Sequence, residues 1–234
     1  MEGILRKCIL VAILAIAFGY IEAAVVVYLR QIFHPDGFCF PLTSFPLIAE
    51  SRNLVLVEVG REAATIVLIL SAAILAGQNR HQRVAYFMTI FAVWDIFYYA
   101  WLKLLVGWPG SIMDWDVLFL VPLPWAGPVL APILVSLALL VFAGLILYRD
   151  WRVKPIKVSW CDWLGFSLAG LFVIISFCIP GPYISHPNYA EHFSWVVFAI
   201  GLLAMVVMFA KCFLRRQTPS TPSTALRTGG LGAK

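Results

Sequence analysis

The sequence predicts an all-α integral membrane protein, a six-transmembrane-helix bundle with both termini cytoplasmic. Three observations carry that prediction. Of 234 residues, 62% are hydrophobic and only 12% are charged, against about 25% charged in a typical soluble domain. Six apolar runs are each long enough to cross a hydrocarbon layer about 30 Å thick. Lys and Arg are concentrated in alternate connections between those runs. A water-soluble chain this apolar would expose large sticky patches, so a bilayer has to be the solvent for most of it.

The first run, 8–29, follows Arg6 and Lys7. Its basic start and the small residues of IEAAV resemble a signal peptide. The run is too long for a signal's apolar core, however, and Glu22 interrupts it, so it reads as an uncleaved first span. Ala12, Ala15 and Gly19 lie on the face of Glu22 and let another helix approach closely. That carboxylate is expected to point into the bundle.

The second run, 54–77, is LVLVEVGREAATIVLILSAAILAG. It carries Glu58, Arg61 and Glu62 at helical positions i, i+3 and i+4, so all three cluster on one side and Arg61 can pair with Glu58. Each costs roughly 2.5–3.5 kcal/mol to insert, so that side must face other helices or a water-filled cavity.

The third run, 84–106, contains Asp95 and Lys103, and eight aromatics fall between Tyr86 and Trp101. Asp95, Tyr98, Tyr99 and Leu102 share one face by helical spacing. The fourth run, 127–148, has Ser136 as its main polar group. The fifth, 161–179, begins beside Asp162, and the sixth covers 194–213.

Between the second and third runs lies a tight basic turn, QNRHQR. The segment 30–53 is a long connection rich in turn formers, with HPDGFCFPL and SFPL. In the connection 107–126 the apolar piece 117–121 is too short to cross. Trp108, Trp115 and Trp125 suit a membrane interface, so this segment is expected to lie along the surface or dip in partway. Residues 1–213 thus form one membrane domain, and the Ser/Thr/Pro/Gly-rich stretch 214–234 is expected to be a disordered cytoplasmic tail.

Orientation follows from counting basic residues outside the spans. Thirteen fall on the side of the termini: Arg6, Lys7, Arg80, Arg83, four in RDWRVKPIK and five from Lys211 onward. Only Arg30 and Arg52 fall on the other side. Thirteen against two places both termini in the cytoplasm. The fourth loop, with Lys154 and Lys157, is expected to meet anionic lipid headgroups. Basic residues scattered over short loops do not suggest nucleic acid.

At 1.5 Å per residue, Glu22 lies roughly 10 Å below the outer end of its span and Glu62 roughly 12 Å. Glu58 lies roughly 6 Å down, Asp95 roughly 16 Å and Lys103 roughly 4 Å. The intramembrane charges therefore gather in the outer half or at the midplane. Four acids (Glu22, Glu58, Glu62, Asp95) face two bases (Arg61, Lys103), so the ionised group carries −2. Protons, a cation or a cationic ligand must offset that surplus. Glu22, Glu58, Arg61, Glu62, Asp95, Tyr99 and Lys103 are accordingly the candidate ligand- or ion-binding residues.

The outer loops add His34, Asp36, Asp114, Asp116, His186, Glu191 and His192. Asp114, Asp116, His186 and His192 are weaker candidates. Two carboxylates are too few for a dedicated calcium site, and the His spacing matches no zinc motif, so no metal site is expected. Of the five cysteines, Cys39 and Cys178 both fall near the outer face. They either pair in an oxidising compartment or pack as small apolar thiols.

H-E-x-x-H, G-x-S-x-G, P-loop and redox C-x-x-C signatures do not occur, and the sequence names no cofactor. Six spans with long outer loops over a cavity are similar in topology to the small substrate-capturing membrane components of vitamin uptake systems. That likeness involves no shared motif. The leading expectation is a multi-pass inner-membrane protein that binds, or helps translocate, a small solute, cation or proton through an acid-lined cavity open to the outer side. Transport by so small a chain would need an oligomer or a membrane partner subunit. The alternatives are an enzyme acting on a lipid or isoprenoid at the outer leaflet, and an assembly or sensor subunit of a membrane complex.

Overall fold

A computed structural model describes residues 2–35, 37–42, 52–121, 123–152, 156 and 158–215. Asp36, Lys154, Lys157 and the stretch 216–234 lie outside the described residues, as do the expectations of lipid contact and of a disordered tail that rest on them. Six long helices make up most of the described chain: α1 (Glu2–Phe33), α2 (Arg52–Ala76), α3 (Arg80–Val106), α4 (Leu130–Arg152), α5 (Trp160–Cys178) and α6 (Trp195–Leu214). Each is long and apolar enough to cross a membrane, which supports a multi-pass membrane protein.

Local chemistry sets the helix ends. The Asn79 side chain accepts from the Gln82 N–H at the start of α3, and Gly107 ends that helix in the left-handed conformation at φ 72°. Ser159 and Asp162 form a reciprocal capping box on α5, and Ser194 caps α6. Leu214 completes α6, and Arg215 beyond it binds Asp162.

The connection 107–126 departs from expectation. A two-stranded antiparallel hairpin forms there, β1 (Trp115–Phe119) against β2 (Trp125–Pro128), pairing Trp115 with Pro128 and Asp116 with Gly127. It takes residues 127 and 128 from the expected fourth span, so that α4 begins at Leu130. The spanning part of the fold is all helical, but the covering part is not. The strands WDVLF and WAGP carry none of the apolar–polar alternation that identifies a strand, and Gly and Pro in β2 read as a turn.

Helix α3 is the hub, packing along α1, α2 and α4, while α5 and α6 pair with each other. Small residues set the closest approaches. A Cβ on Gly19 of α1 would sit 3.0 Å from the Trp94 carbonyl oxygen of α3. One on Gly201 of α6 would sit 2.8 Å from the Val173 nitrogen and 2.9 Å from the Ala169 oxygen of α5. The backbones touch at both crossings, as membrane helices do when glycine permits it.

One end of the bundle is defined by contacts between its connections. Lys7 donates to the Ala76 carbonyl, Asn79 to Asp150 and Arg149 to the Phe213 carbonyl. Arg215 donates to both oxygens of Asp162, which is fully buried and also meets Lys211 at 3.4 Å. The opposite end carries the hairpin. There Trp115, Phe177, Phe193 and Phe198 form a core that seats β1 and β2 over α5 and α6.

Candidate functional site

Beside the hairpin, α1, α2 and α3 line a half-open cavity of about 160 Å³. Residues Glu22, Glu58, Arg61, Glu62, Asp95 and Tyr99 all line it. Val26, Leu29 and Phe33 give α1 its apolar wall, and Asp116 to Leu120 close the hairpin side.

Arg61 is the central cation. Its guanidinium meets Glu58 at 2.8 Å, one helical turn away, and also pairs with Glu22 of α1. Both carboxylates therefore belong to one arginine. The Thr65 hydroxyl donates to Glu22 at 3.5 Å. Glu62 follows Arg61 directly in sequence but turns to the hairpin. Both its oxygens accept the Leu120 N–H at 3.0 Å. A carboxylate on α2 thus satisfies a backbone donor just past β1, where an unmet N–H would be costly.

Asp95 accepts the Ser136 hydroxyl at 2.8 Å, which ties α3 to α4. Asp116 is 2% exposed and accepts from Arg30 at 3.0 Å, from the Tyr98 hydroxyl at 3.1 Å and from the Val117 N–H at 3.0 Å. Burial pushes the Asp116 carboxyl above its ordinary range, and Arg30 with those hydrogen bonds opposes the shift. The Arg30 guanidinium sits in the corner of two perpendicular rings, Phe38 at 3.8 Å and Trp108 at 3.9 Å. His34, just past α1, is held below its ordinary range by burial and by Arg30.

Other sequence candidates lie elsewhere. Lys103 was grouped with the buried charges, but its amine donates to the Gly107 and Pro109 carbonyls at 3.1 and 2.7 Å. It lies near the end of α3, so its long stem carries the charge out to the helix end rather than into the cavity. Asp114 accepts the Gly110 and Ser111 N–H groups and closes a turn. His192 stacks on Tyr183 at 3.6 Å between centroids, and His186 is exposed beside the same ring. Among the described residues no group of three His, Cys, Asp or Glu side chains is placed to hold a metal ion. Cys39 and Cys178 are both free thiols.

Arg30, Tyr98, Thr65 and the role of Asp116 were not assigned from the sequence. Arg30 had been counted only for orientation, although it lies eight residues beyond Glu22 on the same broad face of α1. With Lys103 out and Arg30 and Asp116 in, five carboxylates line the cavity beside two guanidinium groups. Fully ionised, the set carries −3. The Tyr99 hydroxyl, the Trp94 indole N–H and Arg30 Nη1 are also buried without a hydrogen-bond partner among the described residues.

Together these features describe a six-helix bundle with a charged cavity at one end and support a multi-pass membrane protein. Comparison with models of protein families, with curated proteins and with solved structures gave no match.

Proposed function

We propose that the protein binds a small cationic solute in this cavity, from the outer side of the cell membrane, as one step of its uptake or sensing. The observation that carries the reading is the surplus of carboxylates. Arg61 offsets one of the Glu22–Glu58 pair and Arg30 offsets Asp116. One of that pair, Glu62 and Asp95 then lack a cation of the chain's own. Charge left unbalanced in a poorly solvated space is expensive, and a bound cation relieves it.

The rings of Phe33, Trp94 and Phe119 supply an apolar lining that suits an organic cation better than a hydrated metal ion. The volume is close to the ~150 Å³ cavity known to admit a benzene-sized guest, so a small organic cation has room in it. The thirteen-to-two distribution of basic residues supports an outward-facing cavity, because the hairpin lies opposite the end where the basic connections gather. Movement across the membrane would engage a second copy or a partner subunit.

The test is isothermal titration of the detergent-purified protein with propylammonium. Saturable binding is expected, weakened at least tenfold in Asp95→Asn, a change that keeps an acceptor for Ser136 and removes a charge. An affinity that ignores that substitution would overturn the reading.

A further inference from the structure

We propose that the bound cation also presents a hydrogen-bond acceptor, such as a carbonyl or hydroxyl oxygen, to donors on the hairpin side of the cavity. The inference rests on the cation reading above and narrows it to a class of ligand. A surplus of carboxylates describes only half of the cavity's chemistry. The other half is a set of donors that the described chain leaves unused.

Tyr99 is 4% exposed and lines the cavity, yet its hydroxyl has no partner among the described residues. Its neighbour Tyr98 differs, because that hydroxyl already donates to Asp116. Arg30 uses Nη2 on Asp116, while its Nη1 is buried and idle. The side chains that carry the two donors both line the cavity and both pack against Trp108. Its ring centroid is 6.3 Å from that of Tyr99 and 3.9 Å from the Arg30 guanidinium carbon.

Buried donors without acceptors are rare in folded proteins, and each one forfeits the hydrogen bond it made in water. Here they occur in the same small cavity as the uncompensated acids, so one guest can serve both. Its ammonium would lie toward Glu62 and Asp95, and its oxygen would lie toward Tyr99 and Arg30. The acceptor is a neutral group rather than a carboxylate. A zwitterion would leave the −3 of the cavity where it was, whereas a cation with a neutral oxygen reduces it.

A matched pair of probes tests this. Glycinamide, as its ammonium ion, and isobutylammonium have the same heavy-atom skeleton, but only glycinamide carries a carbonyl. Titrated into the detergent-purified full chain, glycinamide is expected to bind about tenfold more tightly. Tyr99→Phe keeps the ring and should shrink that ratio about fivefold, the equivalent of one neutral hydrogen bond. Lys103→Gln, away from the cavity, should keep the parental ratio. Equal binding of the two probes by the parent, or a ratio that Tyr99→Phe leaves unchanged, would overturn the inference while the cation reading stands. Binding of neither probe would remove the cation reading and this inference with it.

Discussion

The two halves of the bundle solve different problems. Helices α1 to α3 supply every carboxylate and guanidinium of the cavity except Asp116, and α4 reaches it only through the Ser136 hydroxyl that donates to Asp95. The buried acid of the second half, Asp162, is matched by Arg215, Lys211 and its own capping box. The buried acids of the first half outnumber their cations. One half therefore follows the rule that buried charge is paired, and the other breaks it three times over. Breaches of that rule collect at functional sites, where another requirement outweighs local stability.

The sharpest way to break the comparison is Arg61→Ala. It strands both Glu22 and Glu58, and it is expected to cost about 3–5 kcal/mol, as for other broken buried pairs. Adding Glu58→Gln should recover part of that loss, whereas adding Glu62→Gln should recover less, because Glu62 is also bound to the Leu120 N–H. Thermal unfolding in detergent of the parent and the three variants measures this. Equal rescue by both second changes would show that the acids share one electrostatic pool.

The packed half makes the next prediction. Gly201→Leu drives a side chain into the backbone of α5 and should destabilise by about 1–3 kcal/mol. Gly60→Ala on α2, where an added Cβ meets nothing within 4 Å, should stay within about 0.5 kcal/mol of the parent. The same melting experiment compares them, and a large loss from Gly60→Ala would reveal a partner on that face of α2.

The smallest effect is a pH dependence at the rim of the cavity. His34 has a lowered affinity for protons in the folded state, so the folded chain binds fewer protons than the unfolded chain just below pH 6.5. Stability should rise as pH increases toward that value and level off above it. His34→Gln should flatten this slope in melts taken between pH 5 and 8.

Much of this was legible from local pattern. All six spans, the Glu58–Arg61 pair and the turn of Glu22 into the bundle follow from hydropathy, an i, i+3 spacing and a small-residue face. What escaped was tertiary. Arg30 and Asp116 are 86 residues apart, and nothing near either one points to the other. Lys103 was misplaced because depth was judged from its Cα, while its side chain reaches the helix-end carbonyls. The N–H that Glu62 accepts comes from a hairpin whose strands, WDVLF and WAGP, carry no alternation to announce it.

The helix lengths hold a further consequence. With 19 and 20 residues, α5 and α6 measure about 28–30 Å, which matches a bilayer's hydrocarbon layer when they stand upright. With 32 residues α1 measures about 48 Å, and α3, with 27, about 40 Å. The excess is polar: Arg6 and Lys7 lie in the opening turns of α1, and Arg80, His81 and Arg83 open α3. In a bilayer those turns would stand beyond the hydrocarbon, in the headgroup layer, so helices of unequal length can share one membrane thickness. The overhangs then act as anchors, fixing how deep the long helices sit while the short ones follow through their packing.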